Sequence, residues 1–212
     1  KGAEGTPLFE DHAGSGGGVV NQEFVKRIQA QDRSSDDPNS PRNIINAFYY
    51  VPPFRAAREE DFLTASLMEK TGPDRYPGDF VPSPNWPFVA PGVRGPVNCW
   101  SLKYLQQDVP DLLAARPKPP VLWVRGSHDL IVSDTSFFDI ANLGKLGYVP
   151  GWPGDEVAPP QPMLQQTRAV LEKYSAAGGS FEEHVIENTA HSPHIEKPDV
   201  FNALFHQFLM RA

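Results

Sequence analysis

The chain has 212 residues, 11% of them aromatic and 21% charged, with a formal net charge of −7. That composition excludes disorder and supplies enough apolar side chains for a packed core. With no basic run to neutralise phosphates, a nucleic-acid partner is excluded; the longest purely apolar run, around Val121–Val124, is far too short to span a membrane.

The single cysteine, Cys99, rules out an intrachain disulfide and a cysteine-rich metal site, and is expected to be a small buried apolar residue. Proline, at 23 residues, is about twice its usual share, which predicts long ordered loops. The chain opens on Lys1, without Met or an apolar signal segment, so a fragment or processed product is expected.

Residues 1–18 are glycine-rich and polar and read as a connecting segment. Within them "HAGSGGG" (12–18) sets Ser15 one substitution away from the G-x-S-x-G elbow of serine hydrolases. Glycines around a serine describe an ordinary loop equally well. "NQEFVKRIQAQ" (21–31) predicts a short amphipathic helix with Phe24 and Ile28 four apart. "SPRNIINAFYY" (40–50) predicts a second, with Ser40 as N-cap, Pro41 in its first turn, and Pro52 and Pro53 stopping it. "EEDFLTASLMEKTGP" (59–73) predicts a third, with acids in its first turn. Residues 72–98 lack periodicity and are rich in proline and glycine, as in a functional loop or lid.

The second half changes character. "PPVLWVRGSHD" (119–129) reads as a fully buried strand of a parallel sheet. Residues 133–162 form another Gly/Pro-rich excursion. Residues 162–179 predict a helix with Met163, Thr167, Val170, Leu171 and Tyr174 inward, 180–188 a strand, and "KPDVFNALFHQFLMRA" a last helix with Phe201, Leu204, Phe205, Phe208 and Leu209 at helical spacing. The pattern is strand, long loop, helix, strand, turn, helix, an α/β fold class.

Asp129 and His191 each follow a strand in this reading. Ligands and catalytic groups collect at the carboxyl ends of strands in open α/β sheets, so an Asp–His hydrogen bond is predicted between the two loops. Taken singly, either residue is equally an ordinary turn or packing residue. His128 is assigned to the turn, His184 and His206 to the surface, and Glu196 and Asp199 to capping the last helix.

"PVLWVRGSHDLIV" followed by "NTAHSPHIEKPDVFNALFHQFL" resembles the C-terminal end of an α/β-hydrolase. The acid of that family follows the penultimate strand in a G-x-x-D turn, here Gly126 to Asp129. Its histidine opens an H-x-x-h-x-E-x-P run, here His191 through Glu196 and Pro198. Two departures are visible: Ala190 replaces the usual glycine before the histidine, and the interval between acid and histidine is long. The resemblance implies the C-terminal part of an α/β-hydrolase sheet over 118–212, a mostly helical cap over 19–117, Asp129 and His191 as acid and histidine of the triad, and no cofactor or metal.

Ser15, Asp129 and His191 stand in the family's order along the chain. An elbow serine must, however, follow a buried central strand, and before Ser15 only Leu8 and Phe9 are available as such. The nucleophile is therefore expected on a separate N-terminal half of the same hydrolase, which becomes the expected partner. The resemblance then implies hydrolysis of an ester, lactone or amide of an apolar small molecule, with Tyr49, Tyr50, Trp86 and His194 as substrate-contact candidates. Two alternatives stay open: an epoxide hydrolase with an Asp nucleophile on the missing segment and cap tyrosines as acids, or a receptor-like module on the same fold.

Overall fold

A computed structural model describes residues 5–211. The first third is helical. Helix α1 (Gln22–Gln29) starts where the Asn21 side chain accepts from the Glu23 N–H at 3.0 Å, and buries Val25 and Ile28. Phe24 is half-buried, edge-on to Tyr76. Helix α2 (Pro41–Ile44) is capped by Ser40 and runs into a single π turn, Ile45–Tyr49, before the chain straightens at Tyr50 ahead of Pro52. Such one-turn π segments concentrate at functional sites. Helix α3 (Glu59–Leu67) buries Leu63 and Leu67, and Arg42 ties α2 to it through Glu59 and Glu60.

Residues 70–98 carry four short strands: β1 (Thr71–Gly72), β2 (Tyr76–Pro77), and the antiparallel pair β3 (Phe80–Pro82) and β4 (Val89–Pro91). The glycines at 14–18 are no free tether but pack on this hairpin. The Gly14 N–H donates to Val89 O and the Gly17 N–H to the buried Asn98 side chain. Gly16 has φ +81°, and a Cβ there would lie 2.3 Å from Asn98 Oδ1. Cys99 is exposed rather than buried, beside the 77% exposed Trp100. Helices α4 (Leu102–Leu105) and α5 (Asp108–Ala114) lead to the sheet.

Strand β5 (Val121–Gly126) pairs in parallel with β6 (Phe181–Ile186), in register from Val121↔Phe181 to Gly126↔Ile186. The crossover contains α6 (Ile140–Lys145) and α7 (Met163–Ala176). The two irregular segments foreseen in the sequence share one core. Trp86, Ala141 and Ala158 are buried together against Ile140, Val149 and Trp152, and the Trp86 indole N–H donates to Pro150 O. Helix α7 buries Leu171 and Tyr174, whose hydroxyl donates to Pro119 O at the start of β5. Helices α8 (Pro193–Glu196) and α9 (Pro198–Leu209) close the chain.

The fold is thus mixed α/β, as the sequence predicts. One further expectation about burial is corrected. Strand β5 is half-exposed along all but Gly126, because its only ladder among the described residues is the one with β6. Helix α9 has no fully buried residue: Phe201, Leu204 and Phe208 are half-buried, while Phe205 and Leu209 stay exposed. No helix is long and apolar enough to cross a membrane among the described residues.

Candidate active site

The loops after β5 and β6 are held together beyond the sheet. The Ser127 N–H donates to Ile186 O, the His128 N–H to Thr189 O, and the Asn188 N–H to Ser127 Oγ. This contact requires Gly126: a Cβ there would lie 2.1 Å from Ala190 O and 2.3 Å from Thr189 O. Asn188 takes the left-handed conformation at φ 53°, a role asparagine tolerates well. Ala190 is not at positive φ, so the departure from glycine before His191 carries no backbone strain.

Each turn delivers one side chain to the same point. Asp129 Oδ1 accepts from the Ile131 and Val132 N–H groups at 2.7 and 3.0 Å, which fixes the carboxylate plane. Its other oxygen lies 3.0 Å from His191 Nδ1. The Asp129 side chain is 8% exposed and the imidazole 33%. An ionised carboxylate only accepts, so Nδ1 carries the proton and Nε2 presents a lone pair. Nε2 makes no hydrogen bond to any described residue.

The π turn brings Tyr49 to the pair. Its ring stands edge-on to His191, centroids 5.5 Å apart at 90°, and its carbonyl accepts from the Ser192 N–H. Burial pushes the Tyr49 phenol up, and pushes Tyr76 up to about 12 with the charge of Tyr49 adding to the effect. Both tyrosines are therefore neutral donors at physiological pH.

Of the other sequence-derived substrate candidates, none is brought to the imidazole in this way. Tyr50 is buried with its ring on Phe54. Trp86 belongs to the core shared with the 133–162 excursion, consistent with a structural task. His194 is exposed and packs on Phe201. Ser15 spends its hydroxyl locally, donating to His12 O at 2.7 Å and sharing a hydrogen bond with Ser101 Oγ at 2.9 Å. Among the described residues no group of three or more His, Cys, Asp or Glu is arranged to hold a metal ion.

Sequence reasoning missed the task of Glu196. It does not cap α9, which has no side-chain cap; its two oxygens instead accept from the Ala190 N–H at 2.6 Å and the Val51 N–H at 2.7 Å. Asp199 lies in the first turn of α9, likewise without a cap bond. The spacing of Glu196 from His191 was visible in sequence, but its partner at Val51 is distant along the chain and left no local pattern.

No protein-family model matches the chain, and no curated protein or solved structure matches it significantly. The class that fold and site define is therefore drawn from the chain itself. It is a mixed α/β protein with a carboxylate–histidine pair at the carboxyl ends of two adjacent parallel strands.

Proposed function

We propose that Asp129 and His191 are the acid and base of a serine-type hydrolase of the α/β-hydrolase class. Residues 19–117 act as its cap, and its nucleophile is carried by a separate N-terminal half of the enzyme. The substrate is an ester, lactone or amide of an apolar small molecule. The observation that carries this reading is the 3.0 Å contact from His191 Nδ1 to a carboxylate whose second oxygen is pinned by two backbone N–H groups. In this reaction the serine attacks the carbonyl carbon while His191 Nε2 takes its proton and then delivers it to the leaving group. Water, deprotonated by the same nitrogen, releases the acyl group. Asp129 holds the tautomer and stabilises the imidazolium.

The need for a partner is supported by the two-stranded sheet, with its half-exposed strands and its unpaired edges among the described residues. The lack of any described hydroxyl on His191 Nε2 agrees with a nucleophile supplied from elsewhere. The epoxide-opening alternative is favoured by one observation, the neutral Tyr49 phenol standing at the imidazole.

A fluorophosphonate probe, which captures activated serines, separates the two readings. Applied to the protein with any companion polypeptide retained, it is expected to label a serine on the companion, and His191→Ala abolishes that labelling. Label recovered on Ser15 sinks the split-chain reading. A companion aspartate alkylated by an epoxide substrate, with no serine labelled, replaces the serine mechanism by the alternative.

A further inference from the structure

Glu196 joins two parts of the molecule that no other carboxylate joins among the described residues. One oxygen holds the N–H of Ala190, the residue before His191; the other holds the N–H of Val51, two residues after Tyr49. A second tie, Ser192 N–H to Tyr49 O at 3.0 Å, runs beside it. The Tyr49 ring stands against His191. Burial pushes the Tyr50 phenol up, and the nearby charge of Glu196 adds to it. Satisfying two amide donors from opposite segments requires two acceptor oxygens on one head group. Glutamine offers one oxygen, and its amide nitrogen would face the second N–H. Aspartate keeps both oxygens but is one methylene shorter and cannot span the same gap.

We infer that Glu196 is a positioning residue that clamps the π turn onto the histidine loop, so that the placement of Tyr49 and the presentation of His191 are set together. The inference rests on the reading of His191 as the base. It adds that the Glu196 carboxylate, beside the Ser192–Tyr49 tie, couples displacement of the π turn to the imidazole. Charge-assisted hydrogen bonds of this kind are about twice as strong as neutral ones, which suits a link between elements so far apart in sequence.

A double-mutant cycle tests it, with the His191 imidazole titration followed by NMR in the protein as isolated. The variants are Glu196→Asp, Tyr49→Ala and the pair. Glu196→Asp keeps the charge and shortens the reach, so it changes the span of the clamp without removing a carboxylate. In the parent it is expected to move the His191 midpoint by about half a pH unit. In the Tyr49→Ala background the move falls to less than half of that, because the ring that the clamp positions is gone. Glu196→Gln repeats the cycle, with the lost charge adding equally in both backgrounds. Equal shifts in the two backgrounds, or no shift in the parent, overturn the clamp. Slow amide exchange in β5 and β6 marks whether each variant is folded; should Gln fail to fold, the Asp cycle still decides. Failure of the hydrolase reading is read separately, as absence of fluorophosphonate labelling in the parent, and leaves the cycle intact.

Discussion

Two short glycine turns, residues 12–18 and 126–129, look alike in sequence and behave differently in space. Each has a glycine whose Cβ would collide with a neighbouring segment, Asn98 for Gly16 and the Thr189–Ala190 carbonyls for Gly126. Each offers a polar side chain. In the first, Ser15 turns back to His12 O and to Ser101, and its hydroxyl is consumed. In the second, Asp129 satisfies one oxygen on its own turn and leaves the other for a histidine on the next loop. A turn suited to the proposed chemistry is thus marked by what remains unspent after local hydrogen bonding. A glycine-rich surround alone does not mark it.

The largest effect expected from breaking this comparison is at Asp129. Asp129→Asn keeps the size but presents an N–H2 or a single oxygen to His191, favouring the wrong imidazole tautomer. If the proposed hydrolase assembles as inferred, its kcat should fall by about 10⁴-fold with little change in fold. A loss below tenfold would remove the pair from the mechanism. Next comes the glycine contact. Gly126→Ala places a methyl group against two carbonyls and should cost about 3 kcal/mol in denaturant unfolding. Gly16→Ala costs about as much, since its φ of +81° belongs to glycine. The two differ at the imidazole: Gly126→Ala should shift the His191 NMR signals and Gly16→Ala should leave them in place.

A smaller effect lies in the sheet that supports the second turn. The Glu183 carboxyl is held down to about 2 from the usual 4.5, chiefly by its hydrogen bonds to Arg168 and, against the cost of burial, also by Arg125. The native state therefore binds fewer protons than the unfolded state, and the stabilisation is present above about pH 4.5 and lost as pH falls toward 2. The 38% exposed Arg168 side chain screens part of it, leaving on the order of 2 kcal/mol. Glu183→Gln should lower stability at pH 7 and narrow the gap to the parent at pH 3, measured by urea unfolding. An unchanged gap between the two pH values would show that the ion triad adds nothing.

Much of this was legible in sequence because it depends on local chemistry. The N-cap Ser40 sits beside its helix, and Val121–Val124 and Phe181–Ile186 carry the parallel pair. The Asp129–His191 contact was readable because two adjacent parallel strands bring their following turns together. Other features depend on partners far away in the chain. Trp86 packs with Ala141 and Ala158, and Glu196 reaches back to Val51, neither of which leaves a periodic trace. The exposure of β5 was misread for another reason. Apolar runs report what a segment could bury, and these described residues supply no second neighbour for β5.

The smallest expected effect sharpens the comparison from the other side. Ser15→Ala removes a hydroxyl that donates to His12 O and pairs with Ser101 Oγ in a half-buried loop. A neutral hydrogen bond contributes about 1 kcal/mol net, and Ser101 keeps its bond from the Lys103 N–H. The cost should therefore be about 1 kcal/mol or less in urea unfolding. Because the Ser15 hydroxyl is bonded to His12 and Ser101 and makes no hydrogen bond to His191, fluorophosphonate labelling and turnover of the assembled enzyme should stay within twofold, about 0.4 kcal/mol. The same substitution at an activated serine would abolish both. A large kinetic loss with a small stability loss would mean that Ser15 leaves its local partners to meet His191, and the two turns would then belong to one site.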